Sequence, residues 1–169
     1  MCRLAGAWSC RGNLGPLTRW LPLAIPLLVL QSNCGLFGST ANIAGKWRIG
    51  WAMSRPAPGA YNCSFVIDFT LTQSEGTFSG AQSGSGGMSC LNNTGSLIDV
   101  FGGATISGTV DGDKLDFSVN AVSSSSATVA GTSTGFASTS SMTGSATCTF
   151  TPNPGNTVEL TGTWSAAPL

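Results

Sequence analysis

Between residues 63 and 72 the chain reads CSFVIDFTLT, with an apolar residue at every second position. Cys63, Phe65, Ile67, Phe69 and Leu71 fall on one side of an extended backbone. Ser64, Asp68, Thr70 and Thr72 fall on the other, with Val66 as the apolar exception. A period of two marks a half-buried strand rather than a helix. Trp47, Ile49 and Trp51 oppose Lys46 and Arg48 in the same way. Leu115, Phe117 and Val119 oppose Lys114, Asp116 and Ser118, and Val158, Leu160, Gly162 and Trp164 oppose Glu159, Thr161 and Thr163. Turn signals stand between such runs at Ser74-Glu75-Gly76, Asp111-Gly112-Asp113 and Pro152-Asn153-Pro154-Gly155. The pattern predicts about eight strands, near 45–53, 61–73, 77–90, 104–110, 114–122, 127–136, 141–150 and 158–166. Short links favour pairing between sequence neighbours. The expected fold is all-β: an eight-stranded antiparallel up-and-down meander barrel, with a β-sandwich as the alternative.

A recurring triplet favours the barrel. Phe78 and Gly80, Ile106 and Gly108, Val129 and Gly131, Met142 and Gly144, and Leu160 and Gly162 each lie two residues apart. Each pair therefore shares a face, and the bulky member makes that the inward one. An inward glycine removes a side chain where a small barrel is crowded and lets the strand bend. The second hairpin follows the same logic. A two-residue loop at Glu75-Gly76 sets Leu71 opposite Gly80, Ile67 opposite Gly84 and Phe65 opposite Gly86. Large residues then meet small ones, which leaves little free interior.

That register brings Cys63 opposite Met88, two residues short of Cys90. A small shift or bulge in the glycine-rich 84–87 would align the two cysteines, so a Cys63–Cys90 disulfide is expected. Cys148 is left as a buried apolar residue, or takes either cysteine as partner instead.

Charged residues make up 8% of the chain, and they are unevenly placed. Arg3, Arg11 and Arg19 precede an uncharged apolar run, LPLAIPLLVL, at 21–30. Ten apolar residues are too few to span a bilayer as a helix, which takes about 20. A basic region before a short apolar core has the form of a secretory signal. From Gly35 onward four bases face seven acids, a net charge of about −3 that argues against a nucleic-acid partner. The segment LQSNCG at 30–35 resembles the lipobox of bacterial lipoproteins, which implies lipidation at Cys34. It departs from that pattern in having Leu30 four residues before the cysteine and Asn33 directly before it. The alternative is ordinary signal-peptidase cleavage near Ser39-Thr40-Ala41. The expected organisation is a leader over 1–34, a linker over 35–41 and a barrel domain over 42–169. The exported product would sit in a bacterial envelope, lipid-anchored or periplasmic, or be secreted. Membrane contact would come only through the leader or a lipid on Cys34.

Catalytic chemistry is poorly provided for. The chain has no histidine, which removes the Ser-His-Asp and Cys-His arrangements. SGSGGM at 83–88 is glycine-rich, but no helix follows it to receive a phosphate. Asp111, Asp113 and Asp116 read as an acidic turn rather than a calcium loop. Of the six cysteines, the three in the expected barrel domain, Cys63, Cys90 and Cys148, have neither a histidine nor the close spacing of a zinc site. No cofactor and no metal are expected, and the chain is read as non-enzymatic.

Gly45-Lys46-Trp47 opens the first strand, and Gly162-Thr163-Trp164 repeats the triplet on the last. Gly-x-Trp at that place resembles the start of the lipocalin and avidin group of eight-stranded meander barrels. The resemblance implies a topology, with Trp47 and Trp164 packed across the barrel floor. No further lipocalin motif is present, and no biotin-binding residues can be placed. The function expected first is an exported non-enzymatic barrel holding a small apolar ligand, lined by Trp51, Phe65, Ile67, Phe69, Phe117 and Val129. The same six residues also read as plain core. The alternative is a structural or interaction module of the cell envelope without a small-molecule ligand.

Overall fold

The computed structural model describes residues 40–57 and 59–169. The leader, Cys34 and linker positions 35–39 lie outside the described residues. Eight strands follow one another: β1 (Gly45–Arg55), β2 (Tyr61–Ser74), β3 (Thr77–Asn92), β4 (Gly95–Asp111), β5 (Lys114–Ser123), β6 (Thr128–Ala137), β7 (Met142–Thr151) and β8 (Val158–Pro168). Each pairs with the next, and β1 pairs antiparallel with β8, so the sheet closes into a meander barrel. Trp51 and Trp164 stand opposite each other across the closing seam.

The alternation in sequence becomes an inside and an outside. On β5 every second residue, from Leu115 to Ser123, is buried. The triplet glycines point inward, and each lies where an added side chain would collide with side-chain or backbone atoms of a neighbouring strand. A methyl group on Gly80 would meet the Leu71 side chain at 2.6 Å, and one on Gly131 would meet Cys148 Cβ at 2.6 Å. Gly135 and Gly144 face each other across β6 and β7 and leave the slot filled by the Trp164 indole. Trp164 packs edge-on against Phe117, with ring centroids 4.8 Å apart, and donates from Nε1 to Thr134 O at 3.1 Å.

One end of the barrel is closed by the residues ahead of β1. Ile43 is fully buried there and accepts from Trp47 Nε1 through its carbonyl at 2.9 Å. Gln73 Oε1 accepts from Ile43 N, and Gly112 O accepts from Ala41 N. Near the other end Ala127 is fully buried, and Tyr61 packs edge-on against Phe150.

Cys63 and Cys90 are directly opposite on β2 and β3 and form a disulfide, with Cα atoms 4.0 Å apart. The register behind it differs in part from the sequence expectation. Leu71 does face Gly80, but Ile67 faces Gly86 rather than Gly84, and Phe65 faces Met88 rather than Gly86. Between Ile67 and Phe69 the single residue Asp68 spans three residues of β3, Ser83 to Ser85. This bulge moves the cysteines into line. β4 is also longer than expected and begins at Gly95 rather than near residue 104. Its first half carries Ile98 and Val100 on the solvent side and Phe101 inside, with register breaks against β3 between Ala81 and Gly87 and against β5 between Phe101 and Gly103.

Candidate functional site

The interior is nearly filled by its own side chains. Among the described residues one inward hollow of about 20 Å³ sits between β1, β2, β4, β5, β6 and β7. That is room for about one water molecule. Trp51, Phe65, Ile67 and Val129 stand around it, as do Phe101, Ala121, Ser133 and Cys148. Trp51 Nε1 donates to Ser133 Oγ at 3.2 Å, which gives the indole N–H a partner at the edge of this apolar space. Phe65 and Phe101 pack with centroids 6.3 Å apart.

The six residues expected to line a ligand space therefore do not form one group. Trp51, Phe65, Ile67 and Val129 share the hollow. Phe69 is fully buried in another layer, beside Trp47 on β1, and Phe117 packs between Phe78 and Trp164. Ser133 was reachable from the inward parity of Val129 and Gly131, four and two residues before it. Phe101 was not, because the β4 bulge beside it breaks the alternation.

Cys148 faces inward on β7 but is partly exposed, because Gly131 beside it leaves the wall thin. Burial pushes its thiol up to about 11, so at neutral pH it is protonated and a poor nucleophile. No group of three His, Cys, Asp or Glu side chains is placed to hold a metal ion among the described residues.

The outer walls differ from one another. On β6, β7 and β8 the outward positions are mostly threonine and serine. Thr132 and Thr147 bond across strands at 3.2 Å, and Thr134 and Ser145 at 3.3 Å. On β2 the outward Asp68 is buried beneath the β3 bulge. It accepts from Arg48 Nε at 2.7 Å, from Arg48 Nη2 at 3.0 Å and from Ser85 Oγ at 2.8 Å. The Arg48 bonds hold its carboxyl below the ordinary aspartate value against the opposing effect of burial. Arg48 is raised in turn by the same bonds. Asp99 accepts from the Ser124 and Ser125 hydroxyls and from Ser125 N, which fixes the turn between β5 and β6. Those bonds, the Ser124 hydroxyl first, also lower its pKa.

No family model and no curated protein matches the chain. Among solved structures it is similar to EF1p2_mFAP2b bound to DFHBI, with 13% identity, a TM-score of 0.43, and coverage of 75% of this chain and 93% of that chain.

Proposed function

We propose that the protein is an exported, non-catalytic barrel that acts through its outer walls rather than through its interior. The observation that carries this reading is the filled core. A hollow of about 20 Å³ is far below the roughly 300 Å³ or more of small-molecule sites. Export is supported by the Cys63–Cys90 disulfide, a bond that persists in oxidising compartments, and by the basic and apolar leader read from the sequence. Anchoring through a lipid on Cys34 is part of the proposal. The absence of histidine from the whole chain supports a non-catalytic role.

A second reading keeps the small apolar ligand. What favours it is the composition of the hollow: Trp51, Phe65, Ile67 and Val129 surround an apolar space beside the thin wall at Gly131 and Cys148. A ligand larger than a water molecule would have to displace Trp51 or Phe101.

Native mass spectrometry of the protein purified from its own source separates the two. The first reading expects the polypeptide mass with a lipid increment at the N-terminus and nothing else retained. A small molecule held at one-to-one stoichiometry would overturn it in favour of the second. A mature chain starting near Ala41 without lipid would remove the anchor and leave the barrel reading intact.

A further inference from the structure

Five of the large apolar side chains exposed on this barrel lie on one wall. They are Val66 on β2, Leu91 on β3, Ile98 and Val100 on β4, and Val122 on β5. Ile98 is 77% exposed. The registers show how they lie together. Val66, Gly87 and Val100 form one lateral row, and Ser64, Ser89 and Ile98 form the next. Asn62, Leu91 and Ser96 form the third. On β1 the rows continue into Gly50, Ala52 and Ser54. None of these twelve outward positions carries an ionisable group, and the Arg48–Asp68 pair borders them on one side.

The row through Gly87 has a distinct shape. Gly87 has no side chain and lies between Val66 and Val100, so the wall has a dent with two apolar lips. One row away on the next strand stands Ile98, the most exposed apolar side chain of the wall. Knob and dent are adjacent. A two-fold axis passing between them places each Ile98 over the dent of a second molecule. We infer that this wall is an isologous contact between two copies of this chain, with Ile98 of each seated over Gly87 of the other.

Charge favours a second copy as the occupant. A wall without ionisable groups meets itself with no like-charge cost, and it offers nothing to steer a charged partner. The area sets the strength. Four strands at about 4.8 Å spacing and three outward rows at about 6.7 Å, with Val122 beside them on β5, cover about 400 Å² per copy. The total of about 800 Å² lies below the range of stable interfaces, so the dimer is weak and reversible. This contact goes beyond the reading of the interior and holds whether or not the barrel admits a ligand.

The test is sedimentation equilibrium of the processed protein from about 1 μM to about 1 mM, a range that covers weak association. The expected result is a monomer–dimer equilibrium. Ile98→Lys should raise the dissociation constant at least tenfold. Gly87→Val is the sharper probe, because the nearest atom to a methyl group there is Asp99 O at 3.5 Å, an ordinary contact. This variant should keep its circular dichroism spectrum and melting temperature while losing at least tenfold in dimer affinity, since the dent is filled. A monomer at every concentration would overturn the inference, and so would a ladder of higher oligomers. A Gly87→Val dimer as tight as the parent, or co-sedimentation with phosphatidylglycerol vesicles that the added valine strengthens, would reassign the wall to unspecific or lipid contact.

Discussion

Gly144→Ala puts one methyl group where the barrel has no room for it. The new carbon would lie 2.6 Å from Trp164 Nε1 and 2.6 Å from Gly135 Cα, and it would also press on the Thr134 carbonyl oxygen. Two of these obstacles are backbone of β6, so the strand itself must move. The third is the buried indole that donates to Thr134 O. Overfilling a packed core costs about 1–3 kcal/mol. Loss of the indole hydrogen bond adds about 1 kcal/mol. Alanine also restricts the unfolded chain, which offsets about 0.4–1 kcal/mol. The expected net loss is about 1–3.5 kcal/mol, or about 3–14 °C in Tm for a domain of this size. Urea unfolding followed by tryptophan fluorescence measures it, and near-ultraviolet circular dichroism reports whether Trp164 has shifted. Gly103→Ala is the matched control, because a methyl group there meets nothing within 4 Å. It should be neutral or slightly stabilising. Equal stability of the two variants, within about 0.5 kcal/mol, would refute the claim that inward glycines are required by packing rather than supplied by composition.

Replacing both Cys63 and Cys90 by serine opens a loop with a sequence separation of 27. In the chain-entropy account this should lower unfolding stability by about 3–4 kcal/mol, read from urea unfolding whose midpoint falls and whose slope rises as the denatured chain expands. Stability should also fall in acid. Asp68 and Asp99 both have folded pKa values below their unfolded ones, so their contributions are full above the ordinary aspartate value of about 3.9 and are lost as pH falls through the lower folded values. Urea titrations from pH 6 down to about pH 2 should show that decline, and Arg48→Gln should reduce the part due to Asp68, whose depression Arg48 dominates. A flat profile in the parent protein would contradict the bonding described for both carboxylates.

Much of the fold was legible because the barrel writes itself in parity. β2 and β5 alternate almost without exception, and the triplet glycines fall on the bulky parity of their strands, which fixes inside and outside together. The disulfide was legible because one two-residue bulge, in the one glycine-rich stretch, aligns two cysteines. The first half of β4 was hidden. There Ile98 and Val100 face solvent while the carboxylate of Asp99 turns to the Ser124 and Ser125 hydroxyls, so local polarity runs against the usual rule. The candidate site was half legible for a different reason. Parity shows that Trp51, Phe65, Ile67, Phe69, Phe117 and Val129 point inward. Which of them share a layer depends on how far the strands are staggered around the barrel, and that stagger is a global quantity. Phe69 and Phe117 accordingly fall in other layers than Trp51.

The seam between β1 and β8 has a colloidal consequence. A chain with 8% charged residues has little electrostatic repulsion to keep its molecules apart. Its strands carry threonine, valine and phenylalanine on a backbone whose ladder, if left open, would pair with another chain. With the register from Trp47↔Pro168 to Ser54↔Thr161 in place, no outermost strand is left to template that pairing. Shortening the chain by its last strand would expose two such templates at once, on β1 and β7. Dispersal in solution would then depend on ring closure more than on surface charge.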